Sequence, residues 1–319
     1  MPERYTCLPM TPIAIWARRI LGVIAALNAV LCTAQPAGTG ATLAPVIARE
    51  MASKPGTVVV MEVASGRIIA QWNPKVAALR VAAPGSTIKP FVLLELLRLG
   101  KLDPDQHMAC RRLLRIGGRH MDCTHSAVVT DLDAADAVAY SCNSYFAGVA
   151  TRFTREELLD GLARAGFAST TGLAKDEAVG RLSLASDPEH LQLQALGYWG
   201  IEVTPLELLA AYRSLALHKL RDDLPQASPV FEGLEHAVQY GMAHEAEARG
   251  LTAVGKTGTA ASDAKRPVHG FFVGYAPAER PVIAVVVYLE HGRGSDAAAL
   301  AAPIFTAYGR ARHDTVAGR

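Results

Sequence analysis

The sequence predicts a mixed α/β (α+β) fold, in which an antiparallel five-stranded sheet is flanked by helices and joined to an all-helical lobe. Two strand-like segments stand near the start of the chain, at 57–63 and 67–72, with a Gly-containing turn between them as in a hairpin. Three more stand near the end, at 251–260, 268–275 and 282–289, separated by short turns. Because helical patterns fill the stretch between, both ends of the chain are expected to complete one sheet whose faces the helices cover.

Helical periodicity and capping signals place the helices. Apolar residues from Phe91 to Leu99 recur at helical spacing and stop at Gly100. Two later helices begin at sequences typical of helix starts, a capping box at Thr154 and a Thr-Pro pair at Thr204. The predicted helices are 91–99, 131–149 with a break near Ser141, 154–166, 204–217 and 296–308.

Size and charge narrow the class of protein. The 319 residues are half apolar, which is enough for the core of one large domain or of a domain with a small lobe. The net charge is +2, and lysines and arginines are scattered rather than grouped in a stripe. Nucleic-acid binding needs such a basic stripe, so no nucleic-acid partner is expected.

The N-terminus has the pattern of an export segment. A pair of arginines, Arg18 and Arg19, precedes a short apolar run and then small residues. We expect 1–34 to be a signal peptide or, if it stays uncleaved, an N-terminal anchor in the inner membrane. Either one places the rest of the chain outside the cytoplasm, in the periplasm or at the cell surface. The other predicted boundaries are a linker over 35–55, a main domain over 56–310 and a tail over 311–319.

Three short strings follow one another in an order that suggests chemistry: Ser86-Thr-Ile-Lys89, Ser141-Cys-Asn143 and Lys256-Thr-Gly. Ser86 and Lys89 are three residues apart at a predicted helix start, which puts both on one face. A serine hydroxyl is a poor nucleophile until a base takes its proton, and a lysine whose pKa is lowered by burial can do so. In the second string, Ser141 could relay a proton to a leaving group, and Asn143 could hold a substrate carbonyl.

The third string is typical of an edge strand on which a substrate docks. Side chains alternate along a strand, so Lys256 and Gly258 face one side. The other side carries Thr257 and Thr259. Gly258 has no side chain and lets a substrate approach the backbone, and an extended peptide could add along the edge by main-chain hydrogen bonds. A backbone N–H here, beside that of Ser86, would make an oxyanion hole.

This ordered set is the one known from penicillin-binding proteins and serine β-lactamases. From about residue 56 to 308 the chain resembles the transpeptidase domain of the class B penicillin-binding proteins. The likeness extends beyond the three strings, to 83–90, 140–146, 203–208, 255–260 and 269–277. It implies a penicillin-binding protein transpeptidase/β-lactamase-like fold over 56–310 and no cofactor. It also implies a D,D-transpeptidase that acts on D-Ala-D-Ala peptidoglycan stem peptides and reacts with β-lactam antibiotics.

The resemblance further implies a role for each matching residue. Ser86 would be the nucleophile that forms the acyl-enzyme, and Lys89 would be its general base. Ser141 and Lys256 would transfer protons. The implied substrate-binding residues are Asn143, Thr257, Gly258 and Thr259, with the backbone N–H groups of Ser86 and Thr259 as the oxyanion hole.

Other functions remain open. A D,D-carboxypeptidase would pass the same acyl group to water. A β-lactamase needs a base that activates water, and in class A enzymes this is a Glu well after the second string. Glu156 follows Asn143 too closely and stands in a predicted helix. A class D-like β-lactamase usually carries Val where Asn143 stands. A non-catalytic sensor could bind peptide or β-lactam in the same pocket, but the complete catalytic set argues against it.

Three cysteines lie beyond the export segment. In an oxidising compartment Cys110 and Cys123 are expected to form a disulfide, which leaves Cys142 as a free thiol. The alternative is a metal site built from Cys110, His120, Cys123 and His125. Their spacing matches no standard zinc pattern, so no metal is expected.

Overall fold

A five-stranded antiparallel sheet lies at the centre of the computed structural model, which describes residues 39–261 and 268–317. The strands are β1 Gly56–Glu62, β2 Ile68–Trp72, β9 Val254–Ala260, β10 His269–Ala276 and β11 Ile283–Leu289. Their order is β2-β1-β11-β10-β9, so the first strand, β1, pairs with the last strand, β11. The predicted fold class is confirmed, and β9, which carries the third string, is an edge strand.

Alternation along the strands divides the apolar residues between two cores. β10 and β11 are buried along their whole length because helices cover both faces of the sheet. Val286 of β11 packs into the core on one face. Its neighbours Val285 and Val287 pack into the core on the other.

Helices form both outer layers and the lobe. On one face α1 (Thr39–Met51) and α10 (Gly294–Ala317) pack against the sheet, and on the other α8 (Pro205–Arg221) does so. The described α-helices are α1 Thr39–Met51, α2 Pro74–Leu79, α3 Lys89–Arg98, α4 Ala134–Ala139, α5 Asn143–Ala150, α6 Arg155–Arg164, α7 Pro188–Ala195, α8 Pro205–Arg221, α9 Ser228–Gln239 and α10 Gly294–Ala317. Short 3-10 turns occupy Gly85–Ile88, Pro225–Ala227 and His244–Ala246. No helix within the described ranges is both long and apolar enough to cross a bilayer.

The helix predictions hold where capping signals were present. Thr154 and Thr204 both form capping boxes, with Glu157 and Glu207 respectively. The helix predicted over 131–149 is broken at Ser141, as expected, because α4 ends at Ala139 and α5 begins at Asn143.

The predicted linker over 35–55 is wrong for most of its length, because α1 occupies Thr39–Met51. Its small-residue composition hides an apolar stripe with a spacing of four residues, formed by Leu43, Ile47 and Met51, and this stripe is buried in a core. The predicted tail is helical up to Ala317, where α10 ends. The predicted export segment lies outside the described residues.

Residues 108–132, called the cysteine segment below, contain only two-residue strands. These are β3 Met108–Ala109, β4 Arg115–Ile116, β5 Arg119–His120 and β6 Asp131–Leu132, and a similar ladder in the lobe joins β7 Arg181–Leu182 to β8 Ile201–Glu202. The cysteine segment therefore lacks the long ladders that hold the central sheet.

Candidate active site

The turn that carries Ser86 is fixed from several directions. Ser86 lies in the 3-10 turn that leads directly into α3. The backbone N–H of Gly85 donates to the carbonyl of Gly197 at 3.1 Å, and the Tyr212 hydroxyl donates to the carbonyl of Thr87 at 2.8 Å. Gly85 has a φ of 54°, a conformation that glycine adopts without strain. The half-buried Ser86 is thus held rigidly at the start of a helix.

Strand β9 packs directly against this turn. A Cβ on Gly258 would press on the carbonyl oxygen of Pro84 and lie 2.8 Å from Thr87 Cγ2. The absence of a side chain at Gly258 therefore lets the strand approach the Ser86 turn closely. The sequence predicted that Gly258 would let a substrate approach the strand. In the structure a Cβ on Gly258 would instead point at the protein itself, toward Pro84 and Thr87.

Lys89 is fully buried and donates its hydrogen bonds to residues of the second string. Its Nζ donates to the carbonyl of Ser141 at 2.7 Å and to Asn143 Oδ1 at 2.6 Å, and lies 3.4 Å from Ser141 Oγ. Burial lowers the pKa of Lys89 to about 8 because the charged form loses its hydration. About a tenth of this amine is therefore neutral at pH 7, far more than for an ordinary lysine.

Lys256 is the second buried lysine of the site. Its Nζ donates to the carbonyl of Thr257 at 3.3 Å. Burial lowers its pKa well below the usual range, and the charge of Lys89 lowers it further. The charged form of Lys256 is therefore disfavoured both by burial and by a charge on Lys89.

The second string forms a tight turn between α4 and α5. Ser141 has a φ of 54°, a left-handed conformation that is uncommon for a residue with a side chain. Asn143 donates from Nδ2 to the carbonyl of Met121 at 3.0 Å while its Oδ1 accepts from Lys89. Asn143 thus links the cysteine segment to Lys89, and both ends of its amide are occupied before any substrate arrives.

Both threonines of the third string have partners on neighbouring elements. Thr257 Oγ1 donates to the carbonyl of Met242 at 3.2 Å. Thr259 Oγ1 accepts from the backbone N–H of Gly294, at the start of α10, at 2.9 Å. The backbone nitrogen of Thr259 lies 3.0 Å from where a Cβ on Gly85 would be, so this N–H is beside the Ser86 turn. That position suits the predicted oxyanion hole.

These elements enclose a cavity of about 460 Å³. One side is β9, the opposite side is the cysteine segment, and Ser86 and Ser141 line it between them. The lining residues are Ser86, His120, Met121, Asp122, Thr124, Ser141, Asn143, Tyr198, Met242, Thr257, Thr259, Arg293 and Ser295. Three separate sequence strings are thereby brought together around one opening.

A family model identifies the protein family to which this chain belongs. Residues 56–308 match the family model described as penicillin binding protein transpeptidase domain. The chain belongs to this family. The resemblance given by the three strings is therefore confirmed, and the class B-like character agrees with the relatives below.

Two relatives of this penicillin-binding protein domain are named as transpeptidases. The probable peptidoglycan D,D-transpeptidase PenA of Neisseria gonorrhoeae is 26% identical over 291 residues, which cover 75% of this chain and 48% of PenA. The peptidoglycan D,D-transpeptidase MrdA of Acinetobacter baumannii is 26% identical over 285 residues, covering 70% and 42% respectively. The chain spans about half the length of the curated relatives it matches.

Solved structures show the same fold. The D,D-transpeptidase domain of a peptidoglycan glycosyltransferase from Eggerthella lenta has a TM-score of 0.74 at 21% identity, covering 85% of this chain and 81% of that one. A peptidoglycan glycosyltransferase from Burkholderia ambifaria has a TM-score of 0.73 at 21% identity, covering 88% and 95%. The five-stranded sheet and its helices are thus those of penicillin-binding protein transpeptidase domains.

Several residues around the site were missed by sequence reasoning. The Tyr198 hydroxyl donates to the carbonyl of Thr259 at 2.7 Å, and burial raises its pKa. His269 Nε2 lies 2.8 Å from the carbonyl of Ala83 and ties β10 to the chain just before the Ser86 turn, while burial lowers the pKa of His269. His269 lies within the matched segment 269–277, but nothing in its spacing predicts this contact.

Two acidic residues bear on the rival β-lactamase function. Glu156 is exposed on α6 and is not among the residues that line the cavity. Asp122 does line it, and its Oδ1 accepts from the backbone N–H of Leu114 at 2.7 Å. Asp122 precedes Ser141 in the sequence, whereas the water-activating Glu of class A β-lactamases follows the second string.

The cysteine segment brings a second group of side chains to the back of the cavity wall. Cys110, Cys123, His125 and Cys142 each offer one ligand atom, and these atoms lie within 4.8 Å of one another. The thiols of all three cysteines are free, so the disulfide expected between Cys110 and Cys123 is not formed in the structure. The hydrogen bond between Cys123 and Cys142 lowers the pKa of the former and raises that of the latter. Relative to the ligand set in the sequence analysis, Cys142 takes the place of His120, which is exposed.

Proposed function

We propose that the chain is a penicillin-binding D,D-transpeptidase, with an acyl-enzyme on Ser86 as its intermediate. The observation that carries this proposal is the cavity, where Ser86, Ser141 and Thr259 face one space with two buried lysines beside it. The match of residues 56–308 to the transpeptidase family supports the reaction class.

In the first step Ser86 Oγ attacks the carbonyl between the two D-alanines of a stem peptide. Lys89 takes the hydroxyl proton. A neutral amine has two N–H groups, and the short hydrogen bonds to the Ser141 carbonyl and to Asn143 use both, which leaves the lone pair for this proton. The oxygen that becomes negative is stabilised by the backbone N–H groups of Ser86 and Thr259.

In the second step the C–N bond breaks and the terminal D-alanine leaves as an amine. Ser141 Oγ supplies the proton that this amine needs and receives in exchange the proton that Lys89 removed from Ser86, across the 3.4 Å between Lys89 Nζ and Ser141 Oγ, with Lys256 beside them in the proton transfer. The amine of a second stem peptide then attacks the acyl-enzyme and gives its proton back along the same route. The ester bond to Ser86 Oγ breaks, this oxygen takes a proton back from Lys89, and the new amide bond cross-links the two peptides.

The edge position of β9 supports binding of an extended stem peptide. An edge strand presents free backbone groups, so a peptide can add alongside it by main-chain hydrogen bonds. Thr257 and Thr259 offer hydroxyls to the peptide end. Stem peptides and β-lactams are accordingly the proposed ligands.

An extracytoplasmic location is part of the proposal, since peptidoglycan is built outside the cytoplasm. The export pattern in 1–34 supports it, either as a cleaved signal peptide or as a retained membrane anchor. Fractionation of cells that produce the full chain, followed by N-terminal sequencing, distinguishes these two. Recovery of the chain in the cytoplasm alone would contradict the location.

Reaction with penicillin tests the nucleophile. Intact-mass measurement should show one adduct on the wild type and none on Ser86→Ala. Ser65→Ala, in the exposed turn of the first hairpin, serves as the control and should label fully. Stoichiometric labelling of Ser86→Ala would refute the assignment.

The lifetime of this adduct separates the transpeptidase from a β-lactamase. We expect the adduct to persist for many minutes, because Glu156 is remote and the Asp122 carboxylate is already engaged by Leu114. Nitrocefin turnover is the measurement. Sustained turnover at several per second that is abolished by Asp122→Asn or Glu156→Gln would make the protein a β-lactamase.

A further inference from the structure

The four side chains behind the cavity wall have the spacing of a tetrahedral metal site. Ligands placed about 2.3 Å from a central ion in a tetrahedron lie about 3.8 Å apart. The Sγ atoms of Cys142 and Cys110 are 3.5 Å apart, and those of Cys142 and Cys123 are 3.7 Å apart. Nε2 of His125 lies 3.4 Å from Cys110 Sγ. A disulfide would instead need sulfurs about 2.05 Å apart.

The surroundings of the sulfurs suit thiolate ligands. Each sulfur accepts a hydrogen bond from a backbone N–H: Cys110 from Arg112 at 3.4 Å, Cys123 from Ser144 at 3.3 Å, and Cys142 from Tyr145 at 3.4 Å. Such donors offset the negative charge that three thiolates would bring into a buried place. The protein therefore supplies both the ligands and the groups that support them.

The His125 ring is oriented so that one of its nitrogens can serve as a metal ligand. Nδ1 of His125 lies 3.1 Å from the carbonyl of Ser126, so Nδ1 carries the proton and Nε2 presents its lone pair to the thiols. The Arg112 guanidinium donates to the carbonyls of His125 and Ser126, at 2.9 and 3.0 Å, and holds this loop in place. Only 2% of His125 is exposed, although imidazole is a polar group.

We propose that Cys110, Cys123, His125 and Cys142 bind one structural Zn²⁺ ion. Three thiolates and one imidazole are a common closed ligand set for zinc, with no position left for water or substrate. The ion therefore supports the site rather than taking part in the reaction. The cysteine segment has no long strand or helix of its own, so metal binding would supply part of its folding free energy.

The location of the ligands defines what the ion would position. Cys142 stands between Ser141 and Asn143 in the second string. Cys123 stands between Asp122 and Thr124, which line the cavity. One ion would thus fasten the wall of the cavity to the catalytic turn, and its effect on acylation rests on the proposed function. Binding of the ion itself does not depend on the proposed function.

Metal content of the full chain tests the site directly. Protein purified without chelator should contain about one zinc per chain by elemental mass spectrometry. Replacement by Co²⁺ should give the charge-transfer and visible bands of tetrahedral cobalt with thiolate ligands. Cys110→Ser should lose both signals, whereas Cys110→His, which keeps a ligand at that position, should retain the zinc. His120→Ala is the matched control and should keep zinc and spectrum.

The outcomes separate this site from the reaction. Removal of zinc should slow acylation by penicillin by roughly tenfold to a hundredfold, and added zinc should restore it, because the catalytic turn loses its fixed geometry. Zinc-loaded protein that never reacts with penicillin would refute the proposed function and leave the metal site intact. Zinc-free wild type with two of the three cysteines in a disulfide would overturn the metal site, as would full zinc content in Cys110→Ser.

Discussion

Strand β9 and the cysteine segment face each other across the same cavity but differ in how much regular structure stabilises them. β9 belongs to a sheet whose strands and covering helices bury two apolar cores. The cysteine segment has only two-residue strands; a few of its apolar side chains, such as Ile116 and Leu132, enter one of these cores, and polar contacts such as that of Asn143 with Met121 hold the rest. The catalytic geometry therefore depends on a rigid side that hydrophobic burial maintains and on a side that a few side chains hold in place.

Lys89 holds the second string, which contacts the cysteine segment through Asn143, so its loss should have the largest effect. Lys89→Met removes the general base and both short hydrogen bonds to the second string. We expect acylation by penicillin to fall by roughly 10²- to 10⁴-fold. Stopped-flow or mass-based labelling measures it, with Lys101→Met, whose amine pairs with Glu157 elsewhere, as the control. A Lys89→Met rate within threefold of the wild type would remove Lys89 from the mechanism.

The pH dependence of acylation should report the same residue. The base acts only when neutral, and the pKa of Lys89 is lowered to about 8 by burial. The acylation rate should therefore rise about tenfold per pH unit below that pKa and level off above it. Labelling rates between pH 6 and 9 provide the profile. A rate independent of pH over this range would contradict a lysine base.

Gly258 tests the rigid side, with a smaller expected effect. In Gly258→Ala the new methyl would press on Pro84 and Thr87 and force β9 away from the nucleophile turn. We expect a loss of about 1–3 kcal/mol in the free energy of unfolding, together with slower acylation. Gly309→Ala, inside α10, is the control. The nearest atom to its new Cβ would be Leu251 Cβ at 3.4 Å, which is an ordinary van der Waals contact. Equal stability of the two variants would show that the close approach of β9 is unimportant.

Hydrogen exchange should reveal the contrast without substitution. Amides of β10 and β11 should exchange only on global unfolding, whereas amides of the cysteine segment should exchange at least tenfold faster, because local opening there breaks few contacts. Treatment with a zinc chelator should accelerate exchange in the cysteine segment and leave β10 unchanged. Equal amide protection in the cysteine segment and in β10 and β11 would contradict the expected difference in local stability.

The contrast also explains what the sequence could predict. The strands at both ends of the chain and the helices with capping boxes at Thr154 and Thr204 were predicted because their signals are local. The role of Gly258 was missed because its partner, the Ser86 turn, is far away in sequence. α1 was taken for a linker because small residues surround its apolar stripe.

The cysteine segment was the least predictable region. Its side chains follow no period, and the contact of Cys142 with Cys110 joins residues that are 32 positions apart. Sequence spacing gave Cys110 and Cys123 as partners, whereas the structure adds Cys142 from the catalytic turn. Such convergence depends on tertiary packing, which no local pattern encodes.

The most direct test of the account is reaction with a purified pentapeptide muropeptide, analysed by mass spectrometry. A D,D-transpeptidase that uses Ser86 should release D-alanine and form a cross-linked dimer, and Ser86→Ala should form none. Trimmed monomer without dimer would identify a carboxypeptidase instead. No reaction by zinc-loaded, folded wild type, or dimer formed equally by Ser86→Ala, would contradict the central claim.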